Sequence, residues 1–409
     1  MNTKKILIIV GVLFVLALAS LLVYNLFFKS SAPGGGTEPG GGGALPSSPA
    51  GRGGTVTPTG LPGSGVSGTG GETSTSPGAT PSSLAGLKIK PISQERVLSP
   101  TIGSDGKTVK YFSRANGNIY QSDFDGGNLK KISSVNLTNL LKALWSPDKD
   151  KIIGIFAEKD VIKKYFYDYT NNQSSILNAK IKYIAWSPDS KKIAYHFVDS
   201  GSEQNNISLS NPDGTNWKNI FKTRLDNVVL EWPIKEKISL RTPPSGLAQG
   251  VLYSINSETG DFFKVISDTF GLYANWSPKG DKILFSSTNN RGKNPALNLS
   301  DEKGANFKDL KLGGLADKCT WSKDDKTIFC ALPQEISQNA TWPDDYYKGL
   351  LILSDDIYKI NLETEQRTKI IGSTSGISYD AQELFLSPKE DYLFFVNRSN
   401  GLLYSLKTQ

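Results

Sequence analysis

From residue 95 to the end of the chain, short runs alternating apolar and polar residues follow one another with turn residues between them, the pattern of half-buried β-strands. Lys192-Ile193-Ala194-Tyr195-His196-Phe197 and Lys282-Ile283-Leu284-Phe285 are typical, rich in side chains that suit a pleated surface. Each run follows a recurring phrase, clearest at Trp145-Ser146-Pro147-Asp148, Trp186-Ser187-Pro188-Asp189, Trp276-Ser277-Pro278-Lys279 and Trp321-Ser322-Lys323-Asp324. Weaker copies stand at Ile102-Gly103-Ser104-Asp105-Gly106, Trp232-Pro233-Ile234-Lys235 and Leu386-Ser387-Pro388-Lys389. Proline presets φ and Asp or Ser bonds the turn backbone, so each phrase predicts a tight hairpin. A second turn recurs downstream at Asp125-Gly126, Pro212-Asp213-Gly214, Thr259-Gly260 and Lys303-Gly304. Two hairpins make a four-stranded unit.

The markers at 102, 145, 186, 232, 276, 321 and 386 are spaced by 43, 41, 46, 44, 45 and 65 residues. A period in the low forties is that of a propeller blade, so residues 87–409 are expected to form an all-β, seven-bladed β-propeller. The last unit stops after a third strand at Gly401 to Lys407. Leu87-Lys88-Ile89-Lys90-Pro91-Ile92-Ser93 supplies the missing fourth, closing the ring and removing a free sheet edge. The Trp-Ser-Pro-Asp phrase followed by Lys and an apolar strand resembles the repeats of TolB-type propellers and of the propeller domains of prolyl-oligopeptidase-like peptidases. That resemblance implies the fold, and for TolB-like proteins a role as extracytoplasmic binding partners in bacterial envelopes. It does not imply an activity, because neither the additional N-terminal domain of TolB nor a hydrolase domain accompanies the repeats.

Upstream the pattern changes twice. Residues 6–28 carry no charge and span about 34 Å as a helix, enough to cross a bilayer core. A cleavable signal peptide competes with this reading, since Ala17-Leu18-Ala19 resembles a processing site, but the apolar run continues nine residues past it. Residues 1–5 are expected in the cytoplasm, because Lys4, Lys5 and the α-amine outweigh Lys29 beyond the span. Residues 29–86 are dominated by Gly, Ser, Pro and Thr and read as a flexible tether. The localisation expected is therefore a single-pass membrane anchor with the repeats outside the cytoplasm.

The formal charge is +7, but from residue 87 onward 42 basic residues face 37 acidic ones, scattered rather than striped, which disfavours nucleic acid as a partner. The recurrent tryptophans are assigned to packing between blades. Cys319 and Cys330 flank the sixth hairpin symmetrically and are expected to form a disulfide in an oxidising compartment. His196 is the only histidine, and it lies in a strand with no nucleophile motif or zinc-ligand set around it, so no catalytic residue, metal or cofactor is expected.

The long sixth unit is the functional expectation. Pro333 to Asp356 reads as an insertion between its second and third strands, with Trp342, Asp344, Asp345, Tyr346 and Tyr347 mixing aromatic rings and carboxylates. Loops carrying Arg241 in the fourth unit and Asn290 and Arg291 in the fifth should reach the same face. These residues form the expected binding surface for an envelope protein or a cell-wall polymer, unless the insertion merely plugs the ring. The alternative is a carbohydrate-active or other hydrolytic enzyme using Asp344, Asp345, Asp355 and Asp356 as paired acids, and a Ca²⁺ site is a third use of the same carboxylates.

Overall fold

The computed structural model describes residues 88–133, 136–199, 201, 204–373 and 377–409. The expected membrane span at 6–28 and tether at 29–86 lie outside the described residues. Among the described residues no helix is long and apolar enough to cross a membrane.

The strands form five four-stranded antiparallel sheets and one seven-stranded sheet. In the larger sheet the 15-residue strand Phe262–Trp276 serves two units: its first half pairs with Gln249–Asn256 and its second with Lys282–Thr288. Gly271 sits at the crossing with φ +70°, where an added Cβ would come within 2.8 Å of Thr288, so neither a side chain nor an ordinary backbone would fit. Counting that strand twice gives seven four-stranded units. Ile89–Pro91 completes the last of them by pairing with Leu403–Lys407, with Ile89 opposite Leu406.

Seven apolar clusters fill the spaces between neighbouring units. The seventh joins Val97, Val109 and Tyr111 of the first unit to Phe394, Val396 and Leu403 of the last, so the ring closes through packing as well as through the shared N-terminal strand. First strands touch across three of the seams, Val97–Ile102 with Leu140–Trp145, Ile181–Trp186 with Val229–Ile234 and Cys319–Trp321 with Ala381–Leu386, as strands on the inner side of the ring do. Four marker tryptophans act across these seams: the indole N–H of Trp145 donates to Ser99 O, of Trp186 to Leu144 O, of Trp276 to Ser239 Oγ and of Trp321 to Asn275 O. Each bond reaches the preceding unit. Trp232 departs from the rule, donating to Lys235 O within its own hairpin.

Cys319 and Cys330 are directly opposed in register, and their sulfurs are joined. Cys330 is fully buried and Cys319 nearly so, within the core between the fifth and sixth units. Replacing both with alanine is expected to lower stability by about 2–3 kcal/mol, since the bond closes a short loop in the unfolded chain. Guanidinium unfolding with and without the two substitutions checks this, and coincident curves would show that the bond adds nothing.

Candidate functional site

The insertion is narrower than its sequence suggests. The second strand of the sixth unit runs Thr327–Pro333 and the third Asp355–Asn361, so Asp355 and Asp356 are strand residues paired with Pro333 and Leu332 rather than loop carboxylates. Residues 334–354 between them contain one short helix, α1, Asp344–Tyr347.

An insertion held off the sheets needs a core of its own, and its large apolar side chains supply one. Trp342, Tyr346, Ala340, Leu353 and Leu315 are buried together, with Ile336 and Leu351 packed against them. Trp342 has no exposed surface and Tyr346 only 3%. This corrects their reading as contact residues: burying the two rings is what holds the insertion in shape. Its ends are stapled to neighbouring units. The Trp342 N–H donates to Gly292 O at 2.7 Å, and Lys293 Nζ donates to Asn339 O and Ala340 O. Asp344 accepts from Ser245 Oγ at 2.9 Å and from the Gly246 N–H at 2.7 Å. Gly246 lies so close that an added Cβ would meet Trp342 O at 2.0 Å. The loops of the fourth and fifth units and the insertion therefore do meet on one face.

Beneath the insertion lies an ion network. Lys318, on a 3₁₀ turn at Ala316–Lys318, places its ammonium 2.7 Å from Asp380 Oδ1 and 2.9 Å from Asp355 Oδ2, and donates to the Tyr346 hydroxyl at 3.0 Å. Tyr346 in turn donates to Asp380 Oδ1 at 2.8 Å, and the backbone N–H groups of Leu353 and Ala381 donate to Asp380 and Asp355. Lysine and both aspartates have essentially no exposed side-chain surface. Burial disfavours the Lys318 charge, yet Asp355, Tyr346 and Asp380 more than offset that and hold its pKa above the ordinary lysine value. Burial dominates at Asp355, whose pKa is pushed up to about 6 although Lys318 pulls the other way.

Nearer the axis, side chains from different units converge. Arg241, 4% exposed, lies 3.6 Å from Glu231 and with its guanidinium carbon 4.0 Å over the Tyr273 ring. Its Nε and Nη1 are buried without a hydrogen-bond partner among the described residues. The Tyr347 hydroxyl donates to Asp317 Oδ2 at 2.9 Å. Burial raises the pKa of Glu231 against the pull of Arg241, and that of Asp317 against Tyr347, Lys318 and Arg241. Burial also raises Glu383, against Lys142. Glu231 and Glu383 nonetheless touch solvent, Glu383 freely, so the surrounding protein rather than loss of all water disfavours their charge.

Of the expected surface residues, Arg241 and Tyr347 join this inner cluster, and Asp344 and Asp345 serve the insertion, Asp345 by accepting from the Thr341 N–H at 2.7 Å. Asn290 and Arg291 stand exposed at a hairpin tip that Asn289 Oδ1 holds by accepting from the Arg291 and Lys293 N–H groups. The carboxylates expected as paired acids are all engaged: Asp344 and Asp345 by the bonds above, Asp355 by Lys318, and Asp356 by Lys369 and Gln334. The outward surface of the insertion is mixed: Glu335, Gln338 and Lys348 are exposed, and so are the apolar Leu350 at 70% and Ile352 at 73%, with Leu247 of the fourth-unit loop 63% exposed. Among the described residues no group of three or more His, Cys, Asp or Glu is placed to hold a metal ion. His196 is fully buried beside Tyr183.

No protein family model matches the chain, and no characterised protein matches it in sequence. Solved structures do resemble it. An oligogalacturonate lyase in complex with manganese superposes with a TM-score of 0.57 at 12% identity, covering 78% of this chain and 92% of that one. An oligogalacturonate lyase from Vibrio parahaemolyticus gives 0.55 at 9% identity, over 78% and 93%. The β-propeller domain of the Trilobed protease from Pyrococcus furiosus gives 0.50 at 15% identity, over 77% and 95%. At such identities the likeness speaks to the fold alone, and the fold it supports is the β-propeller.

Proposed function

We propose that the chain is a membrane-tethered, extracytoplasmic β-propeller that binds an envelope protein through the face built on its sixth unit. The observation that carries this reading is the pairing of a tightly held insertion with outward apolar side chains. Leu350 and Ile352 stay exposed on a segment whose own core and staples fix it across the fourth, fifth and sixth units, and Leu247 stays exposed on the fourth-unit loop stapled to it. Exposed apolar groups on a rigid support favour a protein partner over a hydrated wall polymer. The charge-free run at 6–28 supports attachment, and the buried disulfide supports an oxidising location.

The test is in-membrane crosslinking of the full chain followed by mass spectrometry, comparing wild type with a Leu350→Asp/Ile352→Asp variant. Both positions are solvent-exposed, so the melting temperature should not move. A partner captured by wild type and lost from the variant is the expected result, with the protein retained in the membrane fraction. Identical partner profiles would remove this face from consideration, and release of the chain by alkaline carbonate would overturn the tether.

A further inference from the structure

A second feature lies away from the insertion, between the first and second units. In the third to sixth units the fourth strand sends apolar residues into the neighbouring seam: Ile220 and Phe221 in the third, Val265 and Ile266 in the fourth, Leu310 and Leu312 in the fifth, Ile370 and Ile371 in the sixth. The fourth strand of the first unit is only Lys130–Lys131, both residues exposed, and the following Ile132 is 44% exposed. With that filling missing, a cavity of about 530 Å³ opens along the seam. It extends from the hairpins carrying Asp105 and Asp150 to Ile119 and Leu137, near the other end of the strands. Its volume is ordinary for a small-molecule site, roughly 300–1,000 Å³.

The lining has a distinct chemistry. Trp145, Tyr167 and Tyr169 form an aromatic wall, Tyr169 stacked on Trp145 at 6.1 Å and set edgewise to Tyr167 at 4.7 Å. Gln121 and Lys110 line the same space. The Gln121 amide, the Asp150 carboxylate and the Tyr169 hydroxyl have no hydrogen-bond partner among the described residues, although Gln121 and Tyr169 line a partly enclosed space. Lys110 donates one hydrogen to Lys149 O at 2.6 Å and sits 4.1 Å over the Trp145 ring, leaving two further donors.

We infer that this cleft binds a neutral glycan chain, its sugar rings laid against Tyr167 and Tyr169, which Trp145 backs, and its hydroxyls bonded by Gln121, Asp150 and Lys110. Sugar rings present apolar C–H faces with hydroxyls at their edges, and the cleft supplies aromatic faces with both donors and acceptors beside them. Formal charges on the wall balance, Lys110 and Lys149 against Asp105 and Asp150, so an anionic or cationic ligand gains no net attraction. An extended peptide would seek unpaired backbone groups at a strand edge. Here the walls are sheet faces presenting side chains, and the strand Ile119–Asp123 is already paired, down to the Ile132 N–H on Ile119 O.

The full chain in detergent micelles should be titrated calorimetrically with oligomers of β-1,4-glucose, β-1,4-N-acetylglucosamine, α-1,4-glucose and β-1,4-xylose, with an alginate oligomer and an uncharged hexapeptide as controls. At least one neutral oligomer is expected to bind. Tyr167→Ala should weaken it at least about tenfold, as loss of one stacking platform implies. Ile132→Trp, placed at an exposed position to refill the seam, should abolish binding while leaving the melting temperature at or above wild type. Failure of every neutral oligomer, binding by the alginate or peptide alone, or affinity unchanged in a folded Ile132→Trp protein would each overturn the assignment.

Discussion

Replacing Lys318 with methionine is expected to destabilise the protein by about 3–5 kcal/mol at neutral pH, because it strands Asp355 and Asp380 without their shared cation. A surface lysine would cost far less, since exposed ion pairs contribute at most about 1 kcal/mol. Here the side chains on both sides of the ion pairs are inaccessible, and the methionine keeps most of the lysine volume. The measured loss therefore reports charge rather than packing. Urea unfolding at pH 7 provides the measurement, and a loss below about 1 kcal/mol would mean that water or a rearranged donor replaces the ammonium.

The same substitution has a signature in pH. Asp355 has its folded pKa raised to about 6 from an ordinary 3.8, so the folded state holds its proton more tightly than the unfolded state does. The stability linked to that proton is fully present below pH 3.8 and is lost as pH rises through about 6. Removing Lys318 takes away the cation that opposes the rise, so the variant's carboxyl pKa climbs further and its loss with rising pH grows. The gap between wild type and Lys318→Met should accordingly narrow as pH falls from 7 to 5. A gap independent of pH would place the lost stability in packing instead.

The ring was legible because its information repeats. Trp186, Trp276 and Trp321 occupy one register position and make one kind of bond, from indole to the preceding unit, so a single reading of their role covers several seams. Cys319 and Cys330 were legible for a local reason, their symmetric placement about a hairpin. Pairing of Ile89–Pro91 with the last strand follows from the same counting of strands.

The site was legible in position but not in orientation. Trp342 and Tyr346 look like contact residues in a sequence, where nothing distinguishes a ring that meets a partner from one that meets Leu315 and Leu353. Lys318 sits between Asp317 and Cys319 and reads as a solvated charge, because its two carboxylates are 37 and 62 positions away. Glu231, Tyr273 and Asp317 went unremarked because only the packing of three successive units brings them together, although each lies within four residues before a marker tryptophan. The cleft beside the first unit had a visible signal as well. Its fourth strand is Lys130-Lys131, where those of the third to sixth units carry apolar pairs.

Trp342→Ala separates the ring from what it carries. The indole fills the centre of the insertion's own cluster, has no exposed surface, and its removal is expected to cost about 3–5 kcal/mol within that cluster. That cluster draws only Leu315 from outside residues 334–354 among its buried members, so the loss should appear as local opening rather than collapse of the seven seams. In hydrogen exchange, protection should fall across 334–354, including the Trp342 and Leu350 amides that now donate to Gly292 O and Asp345 O. The strands Thr327–Pro333 and Asp355–Asn361 should stay protected, because Lys318 and the disulfide hold their side of the blade independently of the indole. Protection lost equally in the strands would show that the insertion and the blade fold as one unit. If the opening is local, Trp342→Ala should lose partner capture through disorder of Leu350 and Ile352, whereas Leu350→Asp/Ile352→Asp loses it with exchange unchanged. Those two routes to the same binding defect distinguish a residue that shapes the face from residues that form it.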